Sequence, residues 1–120
     1  MRPLAPAMLS AGIALMLAAA IGCIKIPPPT PLSELTPQQT RGYYVFQQTC
    51  LQCHYDRVNQ PLAGPTLRSL FKKQYLDNGE PANDDRVMSI ITYGFGTMPA
   101  MGARMSPAER DDLLAYLHTL

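Results

Sequence analysis

Residues 50–54 read Cys-Leu-Gln-Cys-His, and no other stretch restricts the fold as much. Two thiols three positions apart near a helix end lie close enough to bond one flat partner at two points. The next residue, His54, is then carried beneath that partner with a ring nitrogen free for a metal. This is the attachment pattern of c-type haem, in which Cys50 and Cys53 would form thioethers with the two vinyl groups and His54 could bind iron through Nε2. Two other chemistries use similar residues. Tetrahedral zinc needs a fourth ligand, and the sequence offers one further histidine, His118. A thioredoxin-like redox pair belongs to a βαβ unit, and no alternating strand pattern is visible.

The remaining cysteine has a different setting. Leu4 to Ile24 is almost wholly apolar, behind a short positive flank made by Arg2 and the amino terminus. A positive start, an apolar run and small residues describe a secretory signal. The run ends Ala20-Ile21-Gly22-Cys23, which resembles the lipobox of bacterial lipoproteins. That resemblance implies a lipid on Cys23, with residues 1–22 removed. Gly22 and Cys23 fit it, whereas Ala20 and Ile21 depart from the usual residues. The alternative is an uncleaved anchor, since roughly 20 apolar residues can span a bilayer. Either reading puts the rest of the chain outside the cytoplasm and tied to a membrane. Export also suits haem attachment of this kind.

The next stretch, 23–37, is proline-rich. Five of the chain's 12 prolines fall between positions 27 and 37. Proline fixes φ and removes a donor, so this stretch is neither helix nor central strand. As a polyproline tether from Lys25 to Pro37 it spans roughly 40 Å, at about 3.1 Å per residue. The alternative is an arm lying on the domain surface.

Residues 38–120 carry helical patterns. Thr36-Pro37-Gln38-Gln39 is a capping box with proline at the first helical position. Tyr43, Phe46 and Gln47 then lead to Cys50. Thr66 is placed to cap a short helix through Leu67, Leu70 and Phe71. Asn83 caps a third helix, with Asp84 and Asp85 in its first turn. Its residues Val87, Ile90 and Ile91 have the spacing of a buried stripe, and Gly94 is its stop. Ser106-Pro107-Ala108-Glu109 opens a last helix whose apolar face is Leu113, Leu114, Leu117 and Leu120. The expectation is a small all-α domain, three to four helices around one haem. Segments 54–66 and 94–105 have no pattern of their own, and a bound cofactor would pack them.

Over residues 38–120 the chain resembles the class I, monohaem cytochromes c. Gly42 and Phe46 match the family's first helix, and Leu113 and Tyr116 the last-helix positions that cross it. Gly64-Pro65 matches the Gly-Pro whose proline carbonyl accepts a hydrogen bond from the axial histidine. Gly96-Thr97-Met98-Pro99 matches the segment that supplies an axial methionine. The resemblance implies haem c on Cys50 and Cys53, with His54 and Met98 as iron ligands. The residues by themselves point the same way: Met98 has glycines upstream that permit unusual φ and a proline downstream that stiffens the loop. Met101 and Met105 are the alternatives, with pocket or surface packing as their other use. Tyr75, Tyr93 and Phe95 are candidate pocket neighbours, and Arg68 and Lys72 candidate partners for the propionates. His118 reads as a solvated residue favourable to the helix dipole.

Composition narrows function further. A formal net charge of +1 with 16% charged residues excludes a polybasic nucleic-acid binder and an acidic disordered chain. Removing Arg2 with the export segment leaves Lys and Arg equal in number to Asp and Glu. Two axial ligands leave no open position on iron, and no triad, paired-carboxylate cleft or phosphate loop is apparent. The expectation is a non-enzymatic electron carrier in the bacterial cell envelope, membrane-anchored on the periplasmic side, working with redox partner proteins and no nucleic acid. The alternatives are a haem subunit of an oxidoreductase complex, and a peroxidase-like or gas-binding haem protein.

Overall fold

The computed structural model describes residues 26–120. The readings of residues 1–22 as export signal and of Cys23 as lipid site lie outside the described residues. Among the described residues, each of the three α-helices begins where a polar side chain relieves the first turn's unpaired N–H groups. Helix α1 is Pro37–Thr49. The Thr36 hydroxyl accepts from the Gln39 N–H at 3.2 Å, and the Gln39 side chain accepts from the Thr36 N–H at 2.9 Å. Helix α2 is Asp84–Tyr93, capped by Asn83 accepting from the Arg86 N–H at 2.9 Å. Helix α3 is Pro107–Leu117, opened by the reciprocal Ser106–Glu109 box. Among the described residues there is no strand, only the isolated bridges Tyr75–Pro81 and Phe95–Met98.

The core lies where α1 crosses α3. Gly42 makes the crossing close: a Cβ there would run into the Asp112 backbone carbonyl and the Tyr116 Cβ. Phe46, Leu113, Tyr116 and Leu117 are buried around this contact. Burying side chains of this size contributes about 1.5–3 kcal/mol each. The Tyr116 ring meets Tyr43 edge-on at 5.4 Å and Phe46 at 5.9 Å. Its hydroxyl donates to the buried Asp56 carboxylate at 2.5 Å. Burial and that carboxylate both push the phenol's pKa up, so Tyr116 stays protonated. The Arg41 guanidinium forks onto Asp112 at 2.8 and 3.0 Å.

Three expectations are corrected. No α-helix follows Thr66; a single 3-10 turn stands at Leu70–Lys72. The Thr66 hydroxyl accepts from the Arg68 N–H at 3.1 Å and donates to the Val58 carbonyl at 2.7 Å, and Ser69 is left-handed with φ 63°. Such a residue cannot continue a right-handed helix. Helix α3 stops at Leu117, short of Leu120; Leu113, Leu117 and Leu120 are buried as the apolar face requires, whereas Leu114 is only half-buried. His118 is more than a solvated residue near a helix dipole. It is the C-cap of α3, its ring stacks on Phe71 at 4.0 Å, and its Nε2 lies 2.7 Å from Asp84 at the start of α2.

Residues 26–35 lie along the domain. The Thr30 N–H donates to the Thr119 carbonyl at 2.8 Å, and Arg57 Nη2 donates to the Thr30 carbonyl at 2.5 Å. Lys72 Nζ reaches the Pro27 carbonyl at 3.4 Å, and Leu35 packs on the core cluster. Among the described residues no helix is long and apolar enough to cross a membrane.

Candidate haem-binding site

The end of α1 and the loop after it build one wall of a cavity. Cys50 caps α1, its N–H donating to the Phe46 carbonyl at 2.9 Å. The chain then turns tightly, with the Cys53 and His54 N–H groups both donating to the Cys50 carbonyl, at 3.0 and 2.9 Å. Cys53 is exposed and Cys50 half-buried. Burial pushes the Cys50 thiol up, partly offset by the Thr49 hydroxyl 3.3 Å from its sulfur.

His54 is buried, and its Nδ1 lies 2.7 Å from the Pro65 carbonyl oxygen. A carbonyl only accepts, so Nδ1 carries the proton and Nε2 keeps a free lone pair. The Gly64 backbone packs close against the ring: a Cβ at Gly64 would collide with three of its atoms. The Gly64 N–H donates to the Cys53 carbonyl at 2.7 Å, which holds the Gly-Pro step against the cysteine turn.

More of the lining comes from the end of α2 and the turn after it. Gly94, with φ 80°, stops the helix. In the tight turn after it, Phe95 and Met98 exchange N–H···O bonds at 3.1 and 2.9 Å. The Met101 N–H then donates to the Ile91 carbonyl at 2.8 Å, tying the segment back to α2. Met98 lines the cavity, whereas Met101 and Met105 are buried in the core.

The cavity measures about 510 Å³. Cys50, Cys53, His54 and Met98 share it with aliphatic side chains such as Leu67 and Ile90. Of the candidate neighbours, Phe95 lines it, while Tyr75 and Tyr93 point to solvent at 60% and 79% exposure. Arg68 and Lys72 are not on its walls. Lys73 is, held at 3.2 Å by Asp77, and no sequence pattern singles it out. Asp56 and Arg57 also escape sequence reasoning, two charges in the loop just after His54 that fold inward to Tyr116 and Thr30. Their one sequence signal is a pair of adjacent opposite charges beside the metal motif.

The donor set and the cavity fit haem c. Two thiols stand at one wall, a proton-locked imidazole beside them, and a thioether on the same cavity, amid apolar side chains. Among the described residues no group of three or more His, Cys, Asp or Glu is placed to hold a metal ion, and His118 is taken up by Asp84 and Phe71. Fold and site together define a small helical c-type haem protein.

The family profile described as "Cytochrome C oxidase, cbb3-type, subunit III" matches residues 37–117, and the chain belongs to this cytochrome c family. It is 33% identical over 79 residues to a cytochrome c6 of a Picosynechococcus species, covering 63% of this chain and 68% of that one. It is 34% identical over 88 residues to the cbb3-type cytochrome c oxidase subunit FixP of Azorhizobium caulinodans, covering 71% of this chain but 28% of FixP. The solved cytochrome c6 of the diatom Phaeodactylum tricornutum is 31% identical, covers 66% of this chain and 88% of its own, and superposes with a TM-score of 0.49. The chain is therefore a monohaem c-type cytochrome of electron transfer, with one covalent haem c on a Cys-x-x-Cys-His motif at Cys50 and Cys53.

Proposed function

We propose that the chain is a one-electron carrier anchored at a bacterial membrane on its outer, periplasmic face. Cys50 and Cys53 would hold haem c, and His54 Nε2 and Met98 Sδ would bind its iron. The observation that carries this reading is the pair His54 and Met98 on one cavity, with the His54 tautomer set by Pro65. Bound there, haem supplies a ferrous–ferric couple. The protein's own part is to hold the ligands still. The Pro65 carbonyl holds the His54 ring, the Phe95–Met98 turn sets the backbone that carries the thioether, and aliphatic side chains make the lining largely apolar. Methionine in place of a second histidine raises the potential. A site whose ligands do not move keeps reorganisation small.

The spectrum of the ferric holoprotein tests the ligation. It should be low-spin, with the methionine–iron charge-transfer band in the far red. Met98→Ala should abolish that band, while Met101→Ala and Met105→Ala should keep it. A band that survives Met98→Ala refutes the ligand set. Rapid carbon monoxide binding by the reduced native protein would instead support the gas-binding reading.

The tie to a membrane rests on the apolar N-terminal run and on Cys23. The intact mass of the exported protein should show a diacylglycerol adduct there. A second reading is favoured by the matching profile and by FixP: the chain serves as a haem subunit of an oxidoreductase complex. Co-purification of stable partners from membranes in mild detergent separates the two.

A further inference from the structure

The proline-rich segment does not leave the domain at the start of α1; it doubles back along the surface and is held there. Thr119, just past α3, accepts from the Thr30 N–H at 2.8 Å. Arg57, in the loop after His54, donates to the Thr30 carbonyl at 2.5 Å. Leu35 packs on the core cluster at the other end of the segment. Thr30 thus has both backbone groups paired, as a strand residue would, in a segment whose prolines can donate nothing. Proline also lowers the entropy lost on docking, because its φ is already set. The contact from Lys72 to the Pro27 carbonyl is longer, at 3.4 Å, and exposed, so Thr30 is the firm point.

The Arg57 side gains as much as the strap does. Its guanidinium is drawn in beside the buried Asp56–Tyr116 bond, and its Nη1 is buried without a hydrogen-bond partner. Removing the Thr30 carbonyl would strip a further partner from a desolvated cation, which is costly. The cation and the strap therefore need one another.

We infer that residues 30–35 form a fixed strap fastened by Arg57, so that the reach from Cys23 to the domain is set by only the six residues 24–29. Drawn out at a polyproline rise of about 3.1 Å per residue these would span about 19 Å, against roughly 40 Å for the whole segment as a free tether. The strap itself is independent of the membrane reading. Its consequence rests on the proposed lipid at Cys23: a haem domain held within about 19 Å of its anchor, suited to a partner in the same membrane and not to a long sweep.

The test is amide hydrogen exchange at single-residue resolution on the full-length holoprotein in nanodiscs. Thr30 should exchange at least about tenfold more slowly than an unstructured amide of the same sequence, and Arg57→Gln should remove about tenfold of that protection, the scale of a hydrogen bond to a charged group. A wild-type Thr30 amide at the unstructured rate, with α3 amides still protected, overturns the strap. Unchanged Thr30 protection in Arg57→Gln overturns the fastening. Should Arg57→Gln fail to fold, Thr30→Pro deletes the donor on the strap alone. It should speed exchange at Glu34, whose N–H donates to the Pro31 carbonyl, and leave the haem spectrum as it was. No change at Glu34 counts against the strap. The intact mass decides the other half: an unmodified Cys23 overturns the short leash, and Thr30 protection decides the strap separately.

Discussion

Gly42→Ala should destabilise the protein, although the same change in an open helix stabilises it. Alanine is favoured over glycine in a helix interior by about 0.5–1 kcal/mol. Here the new methyl has nowhere to go. It would meet the Asp112 carbonyl carbon and oxygen, which are backbone, and the Tyr116 Cβ. None of these is the far end of a flexible side chain, so α1 and α3 must separate. Overpacking of this kind costs about 1–3 kcal/mol, and the upper end applies because the crossing also carries Phe46, Leu113 and Leu117. The propensity gain offsets only part of it, leaving a net loss of about 2 kcal/mol. For a domain of this size each kcal/mol moves Tm by about 4–8 °C, so Tm should fall by about 8–16 °C. Thermal melts of the ferric holoprotein, followed by far-UV circular dichroism, give the number. Gly79→Ala is the control, because its φ of 83° is unfavourable for alanine but nothing lies within 4 Å of the new methyl. It should cost about 1–2 kcal/mol through backbone strain alone. A Gly42→Ala protein as stable as wild type, or more so, would show that the helices do not approach closely and would refute the close crossing at the core.

Gly64→Ala should disturb the haem site with less effect on the core, because the added Cβ would press on the His54 ring; electron paramagnetic resonance of the ferric protein should show altered or heterogeneous g-values. Tyr116→Phe should cost about 1–3 kcal/mol in denaturant titrations, since it leaves the buried Asp56 carboxylate short of a donor. Acid should weaken the α1–α3 contact. Asp112 is held below the usual carboxylate range, first by its bond from Arg41. A carboxylate lowered in the folded state stabilises it above the unfolded value of about 3.9, and that contribution is lost as pH falls through the folded value. Stability against pH should therefore drop below about pH 4, and Arg41→Gln should flatten that part of the curve; an identical acid limb in the variant would refute the coupling.

Much of the fold is legible in the sequence because its signals are local. Thr36, Asn83 and Ser106 each announce a helix by chemistry confined to one turn, and all three helices start where those residues stand. Spacing alone likewise orders Cys50, Cys53 and His54. The helix expected after Thr66 does not form because a threonine hydroxyl serves a loop as well as a cap. Here it donates to the Val58 carbonyl, eight residues away, and the left-handed Ser69 stops any helix that would follow. His118 defies a local reading for a related reason: its partners Phe71 and Asp84 are distant in sequence, and nothing near position 118 points to them.

The sequence by itself determined the attachment motif and the helix starts, and through its neighbouring glycines and proline it pointed to Met98 among the three methionines in 98–105. Each rests on residues within a few positions of one another, where backbone geometry is nearly independent of the rest of the chain. Tertiary structure decided that Met98 faces the cavity while Met101 and Met105 fill the core, that Lys73 and not Lys72 lines the wall, and that Thr30 is bound to Arg57 and Thr119. Those outcomes depend on which surfaces must be buried together, and burial is a property of the assembled chain.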